Sequence, residues 1–331
     1  MTASRILAAL ALALLALLPF VAADYALHIA IQILIWGFVY TAWAMMGRFG
    51  LTSFGHGAFL GIGAYVPALL WNLYGVTPWL GLPAGMALAM LVALLIGYPS
   101  FRLRVVGHYF ALVTLALSQV VLLSLVAARE VTGGSLGMTL NVEHSWWALQ
   151  FAGKETYYLI ALVVWVAGLA VWRWIDRGIE RIALEALSED EIAAESVGVN
   201  VLREKLRVTM ISAALTALGG GLLTQYIQYV NPEVVSGVSV SLQIVFAAIA
   251  GGMRTLLGPT VGALFTIVLN EALRVAFGTN FIGAANTIYG IMLILFIIFM
   301  PQGIVGLIEG VSARSVGWRE RRAATLPATR T

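Results

Sequence analysis

The sequence predicts an all-α integral membrane protein, a polytopic bundle of about ten transmembrane helices with glycine interruptions. Three observations predict it. First, hydrophobic residues make up 61% of the 331 and charged residues only 11%, against roughly 25% charged in soluble domains. That supply of polar groups does not cover a water-facing surface. Second, apolar runs recur at the ~20-residue length that crosses a bilayer. Third, the runs are continuous rather than alternating, which argues against an outer-membrane barrel and leaves helices as the way to pair every backbone group in lipid.

The elements follow in order. Segment 5–23 carries Arg5, a Leu/Ala run and then Ala22-Ala23-Asp24. It reads either as a cleavable signal peptide or as an uncleaved first span. Further spans are expected at 25–46, 54–74, 78–98, 109–127, 157–175, 207–229, 238–253, 260–277 and 284–300. Segments 54–74 and 238–253 are rich in glycine and polar residues, and either reads as a broken or re-entrant piece. With the N-terminus inside, the cations sort by the positive-inside rule. Arg5, Arg48, Arg102, Arg104, Arg173, Arg177, Arg181, Arg203, Lys205, Arg207, Arg254 and the tail arginines fall inside; only Arg129, Lys154 and Arg274 fall outside. An even number of spans preserves that sorting, with eight as the other even count, and both termini are then cytoplasmic. The expected organisation is a transmembrane domain over 1–310 and a basic, solvated tail over 311–331.

Two polar stretches interrupt the spans. Residues 128–156 form an outer loop with Thr132-Gly133-Gly134-Ser135 and a Trp146-Trp147 pair suited to the membrane interface. Residues 176–206 form an inner loop of both charge signs. Within it Ser188 and Glu191 fit a capping box. Glu189, Asp190 and Glu191 place negative charge where a helix dipole favours it. Ile192 and Val197, with Ala193 and Ala194 between them, give a small apolar surface, and Gly198 is a natural terminator. The residues predict a short capped helix, which physics alone leaves open as a linker or as a docking element.

Candidate residues for a polar path are few. Glycines interrupt the chain at Gly55, Gly57, Gly61 and Gly63, and again from Gly251 to Pro259. Small residues let membrane helices approach closely, and glycine-interrupted spans also mark transporter sites. Ser53, Gly55, His56 and Gly57 in the first interruption, and Gly251 and Gly252 in the second, are therefore candidates. Gln119, Gln225, Asn270 and Glu271 are polar groups within spans, where ionisable residues mark function. Glu271 and Arg274 share a helix face, as a mutual pair or as a grip on substrate charges.

Several strings together carry a resemblance: Gly55-His-Gly-Ala-Phe-Leu-Gly-Ile-Gly-Ala-Tyr65, Arg102-Leu-Arg104, Tyr109 to Leu115, Thr132 to Ser135, Glu189 to Asn200 with Lys205-Leu206 and Ile211 to Ala214, Gly251 to Pro259, Glu271 to Arg274, and Pro301 to Leu307. In this order they resemble the LivM-type permeases of high-affinity branched-chain amino acid ABC transporters, over most of the chain. The resemblance implies a second permease, two cytoplasmic ATPases that hold ATP and Mg, a periplasmic binding protein and a bacterial inner membrane. It makes the stretch Ala186, Leu187, Ser188, Glu189, Asp190, Glu191, Ile192, Ala193, Ala194, Glu195, Val197 and Gly198 the coupling helix that meets an ATPase. It implies a small substrate, leucine, isoleucine or valine, with urea, amides and aromatic or other small carboxylates as the family's other cargoes. The chain departs from the family pattern at Glu185 and Ser188, where basic residues are common, and at Leu51 and Arg48.

Other classes have less support. The chain has no cysteine and four scattered histidines, which form no metal-ligand pattern. It lacks a G-x-x-x-x-G-K-[ST] phosphate loop, so it is read as a non-catalytic subunit that binds no cofactor itself. No nucleophile–base constellation supports an intramembrane enzyme. An ion-coupled secondary transporter using Glu271 is the remaining alternative.

Overall fold

A computed structural model describes residues 2–105, 107–277 and, beyond them, 287, 288, 290–292, 294, 295, 298 and 303–306. Helix α1 (Thr2–Leu17) is followed by a single 3-10 turn. Then come α2 (Asp24–Gly47), α3 (His56–Tyr74), α4 (Pro78–Arg102), α5 (His108–Ala127), the four-residue α6 (Arg129–Thr132), strand β1 (Met138–Thr139) and α7 (Lys154–Arg177). Two short helices, α8 (Ile179–Glu189) and α9 (Glu191–Ser196), precede the long α10 (Val201–Ile227). Strand β2 (Tyr229–Val230), α11 (Pro232–Val235), α12 (Val238–Gly251) and α13 (Gly258–Phe277) complete the described elements.

Eight helical segments among the described residues are long and apolar enough to cross a membrane, and the protein is a multi-pass, all-α membrane protein. Nine of the ten expected spans coincide with helices. The tenth, 284–300, lies mostly outside the described residues, and the tail 311–331 wholly so. The segment 54–74 is not broken: α3 runs through its glycines without interruption. Packing explains this. A Cβ on Gly63 would lie 1.9 Å from the Ala217 carbonyl oxygen, so the small residues let the α3 and α10 backbones touch. The break comes later, at Ser236-Gly237 between α11 and α12, where Gly237 has φ +90°. Helix α12 then ends at Gly252, whose φ of +115° turns the chain into α13.

Helix α2 is the central pillar. It packs against α7, α10, α12 and α13, and nearly its whole length from Leu34 to Gly47 is buried. A helix that is apolar all round belongs in such a position. Helix α10 packs on α3 and α4 at its other side, and α5 lies outside α3.

The two ends of the bundle differ. One carries α8 and α9. The other carries a minimal sheet, β1 antiparallel to β2 with Met138 opposite Val230, and the loop that exposes Trp146 and Trp147. With 27 residues, α10 is about 40 Å long. That exceeds a hydrocarbon core of about 30 Å, and α10 also meets α8 and α9.

Candidate functional site

The α8–α9 end is built around one residue. Asp190 is extended, with φ −152° and ψ 111°, and separates the two helices. Its Oδ1 accepts from the N–H groups of Ile192 (2.9 Å) and Ala193 (3.0 Å). The expected capping box is therefore wrong in its cap. Ser188 sits in the last turn of α8 and donates to the Glu185 carbonyl at 2.7 Å. A charged acceptor directly before the helix serves the free N–H groups better than a hydroxyl two residues earlier. Glu191, released from that box, receives the Lys205 ammonium at 2.5 Å instead. Gly198 does end the element, with φ +94°.

The pair is fastened to the membrane helices in two ways. Leu184, Leu187 and Ala194 are buried among Met46, Phe49, Phe101, Phe110 and Val208. Ion pairs add direction: Glu191 with Lys205, Glu195 with Arg104 at 2.9 Å, and Glu180 with Arg207 at 2.7 Å. The Glu180 carboxyl lies below its ordinary value, held by its own backbone N–H at the start of α8 and by Arg207. Nearby, Arg48 pairs with Asp176 at 2.8 Å and stacks 3.8 Å from the Trp172 ring centroid. The unusual arginine thus fastens the end of α2 to α7. Ile179, Ile182, Ile192 and Val197 of this segment are exposed.

The opposite end holds a cavity of about 370 Å³, within the ~300–1,000 Å³ range of small-molecule sites. Helix α2 contributes Tyr25, His28, Ile29, Gln32 and Trp36, and α13 contributes Thr266, Ile267, Asn270, Glu271 and Arg274. Both sets recur at helical spacing, so each forms one stripe. Arg274 grips Glu271 with two nitrogens, Nε at 3.1 Å and Nη2 at 2.5 Å, and the Tyr25 hydroxyl donates to the same carboxylate. His28 shares hydrogen bonds with Tyr226 (2.5 Å) and Gln32 (2.9 Å). Deeper in, the Gln243 amide donates to the Tyr40 hydroxyl at 3.2 Å.

Of the expected path residues, Asn270 and Glu271 meet at this cavity. Ser53, Gly55, His56 and Gly57 lie elsewhere, packed where α3 meets α5, α10 and α12. The Trp43 indole donates to the Ser53 carbonyl, and His56 shares a 2.8 Å hydrogen bond with Ser212. The Gly57 N–H donates to Ser241 Oγ at 3.0 Å. Gln119 is half-buried on α5. Gln225 is fully buried, and its amide makes no hydrogen bond among the described residues. Gly251 and Gly252 form the tight exit from α12. Sequence reasoning missed Tyr25, His28, Gln32 and Trp36. The available signal was their spacing along a run otherwise read as uniformly apolar.

One further string, Gly133-Gly134-Ser135-Leu136-Gly137, fits the letters G-x-S-x-G. A nucleophile elbow needs a strand before the serine and a helix after it. Here Gly134–Leu136 is a single 3-10 turn leading to β1, and the Ser135 carbonyl accepts from Asn231 at 2.9 Å. The string closes the loop onto the β2 segment.

The chain is a multi-pass helical membrane bundle with a polar cavity at one end and an anchored pair of short helices at the other. The chain belongs to the family described as branched-chain amino acid transport system, permease component, whose model matches residues 25–300. It is 31% identical over 284 residues to the high-affinity branched-chain amino acid transport system permease protein LivM of Escherichia coli K12, covering 79% of this chain. The match spans 65% of that relative's length, and the same holds for the LivM protein of Salmonella typhimurium. The corresponding LivH protein of E. coli K12 is 28% identical over 274 residues, covering 78% of this chain and 87% of LivH. No solved structure matches.

Proposed function

We propose that this chain is the membrane-spanning subunit of an ATP-driven importer for branched-chain amino acids. It pairs with a second permease, two ATPases and a binding protein, in a bacterial inner membrane. The observation that carries this reading is the α8–α9 pair, fixed from behind by Leu184, Leu187 and the Glu191–Lys205 ion pair and bare in front at Ile192 and Val197. A partner ATPase that changes shape on binding ATP needs a stiff lever, and this element transmits a push on its face to α10.

The charge distribution supports the orientation. Arg48, Arg102, Arg104, Arg177, Arg181, Arg203, Lys205, Arg207 and Arg254 cluster about the α8–α9 end, and Arg129, Lys154 and Arg274 lie about the other. Basic residues concentrate on the cytoplasmic side, so α8 and α9 face the cytoplasm and the β1–β2 end faces the binding protein. ATP and Mg belong to the partner chains.

The test is uptake of radiolabelled leucine at submicromolar concentration by cells with and without the gene, with unlabelled isoleucine, valine, benzoate or urea as competitors. Loss of uptake on deletion, with competition by isoleucine and valine alone, is expected. Unchanged leucine uptake refutes the substrate.

A further inference from the structure

The cavity between α2 and α13 carries an ion pair, Glu271 with Arg274, among its lining residues. Ionisable side chains inside a span are costly and face the bundle interior or water-filled space. Glu271 and Arg274 lie in the last two turns of α13, at the mouth of the bundle, and the Arg274 side chain is 69% exposed. They neutralise each other, and the Tyr25 hydroxyl completes the carboxylate's hydrogen bonding. The apolar part of the wall is Ile29 and Trp36 from α2, Leu223 from α10 and Ile267 from α13, beside the polar His28, Gln32, Thr266 and Asn270. Trp36 leans on Tyr40 with ring centroids 5.7 Å apart, and Tyr40 holds Gln243, which closes the floor.

The geometry points to a substrate site within the permease itself, one that takes a zwitterionic amino acid with a branched apolar side chain. The substrate carboxylate replaces Glu271 on the Arg274 guanidinium, whose planar fork suits a carboxylate. The substrate ammonium takes the released Glu271. The aliphatic side chain lies against Trp36, Leu223 and Ile267. This exchange leaves no charge unpaired, because one molecule supplies both signs. A simple carboxylate strands Glu271, an amine strands Arg274, and neutral urea or an amide has no charge with which to displace the existing pair. The rim therefore discriminates by net charge pattern and the walls by side-chain shape. Onward passage requires the Gln243–Tyr40 hydrogen bond to open. The choice of amino acid as ligand rests on the transport reading above, whereas the charge exchange rests on the cavity.

The experiment is binding of tritiated leucine to the purified transporter complex, in detergent and without its binding protein. Saturable binding is expected, competed by isoleucine and valine, with leucinamide and 4-methylpentanoate at least about tenfold weaker, as expected for loss of one charge-assisted contact. Glu271→Gln and Arg274→Gln should each weaken leucine about tenfold or more. Ile267→Trp leaves the rim intact and narrows the apolar wall, so it should lose leucine while keeping alanine. Absence of saturable binding to the wild-type complex overturns the inference. So does leucine affinity unchanged in both charge variants, or leucine preferred over alanine in Ile267→Trp. Leucine uptake by whole cells separates the two levels: uptake without such binding refutes this site alone, and no uptake refutes the transport reading.

Discussion

Removing the Glu191 carboxylate should loosen α9 far more than removing Glu195, although the two residues sit four apart on one short helix. The partner of Glu191 is Lys205, whose side chain is 7% exposed; the Glu191 side chain is 23% exposed. Breaking a fully buried pair by deleting one member costs about 3–5 kcal/mol, because the other charge is left uncompensated. Partial exposure on the Glu191 side and the freedom of a lysine stem to redirect its head reduce this to about 2 kcal/mol. Glu195 pairs with Arg104, and their side chains are 53% and 63% exposed. Such surface pairs contribute about 0–1 kcal/mol. Amide hydrogen exchange over 190–199 reads the difference, since it reports local opening. Glu191→Ala should speed exchange about 30-fold, the factor that corresponds to 2 kcal/mol, and Glu195→Ala no more than about fivefold. Adding Lys205→Met to Glu191→Ala removes the stranded ammonium and should restore most of the protection. Equal exchange in the two single variants, or no recovery in the double variant, would show that the apolar contacts alone hold α9.

Three further outcomes are expected. Gly57→Ala places a methyl 2.5 Å from the Gly237 carbonyl oxygen; overpacking of this kind costs about 1–3 kcal/mol, seen as a lower melting temperature of the purified protein. Ile192→Glu alters an exposed side chain, so the melting temperature should stay within a degree or so while leucine uptake and transport-coupled ATP hydrolysis fall together. The Glu180 carboxyl lies below its ordinary value of 4.5. Its contribution to α8 docking is therefore present at neutral pH and lost as pH falls from about 4.5 through the lower folded value. Glu180→Gln should flatten that acid limb in unfolding midpoints measured from pH 3 to 7 and leave the pH-dependence above 5 unchanged.

Much of the architecture was legible because lipid imposes length. Any apolar run near 20 residues had to be a helix, and the spans appear where those runs lie. Within the inner loop the short helix was legible, but its start was not. Ser188 and Asp190 are both good cap residues, and the S-x-x-E pattern favoured the wrong one. The break in the span around 238–253 was felt as glycine richness, yet Gly57, Gly61 and Gly63 carried the same signal and lie inside an unbroken helix. Glycine at a close backbone approach and glycine at a break look alike in one dimension. The cavity was legible only in half. Asn270, Glu271 and Arg274 stood out as polar groups in an apolar run, whereas Tyr25 meets Glu271 across 246 positions of chain, a pairing that no local pattern announces.

The position of α2 bears on how the protein is made. This helix enters the membrane early, but the neighbours that surround it, α7, α10, α12 and α13, are synthesised later. Until they arrive, His28, Gln32 and Tyr40 must face lipid or the insertion machinery. The centre of the bundle therefore sets last, and a chain halted before α7 would leave its innermost helix without any of these neighbours, a ready target for membrane quality control.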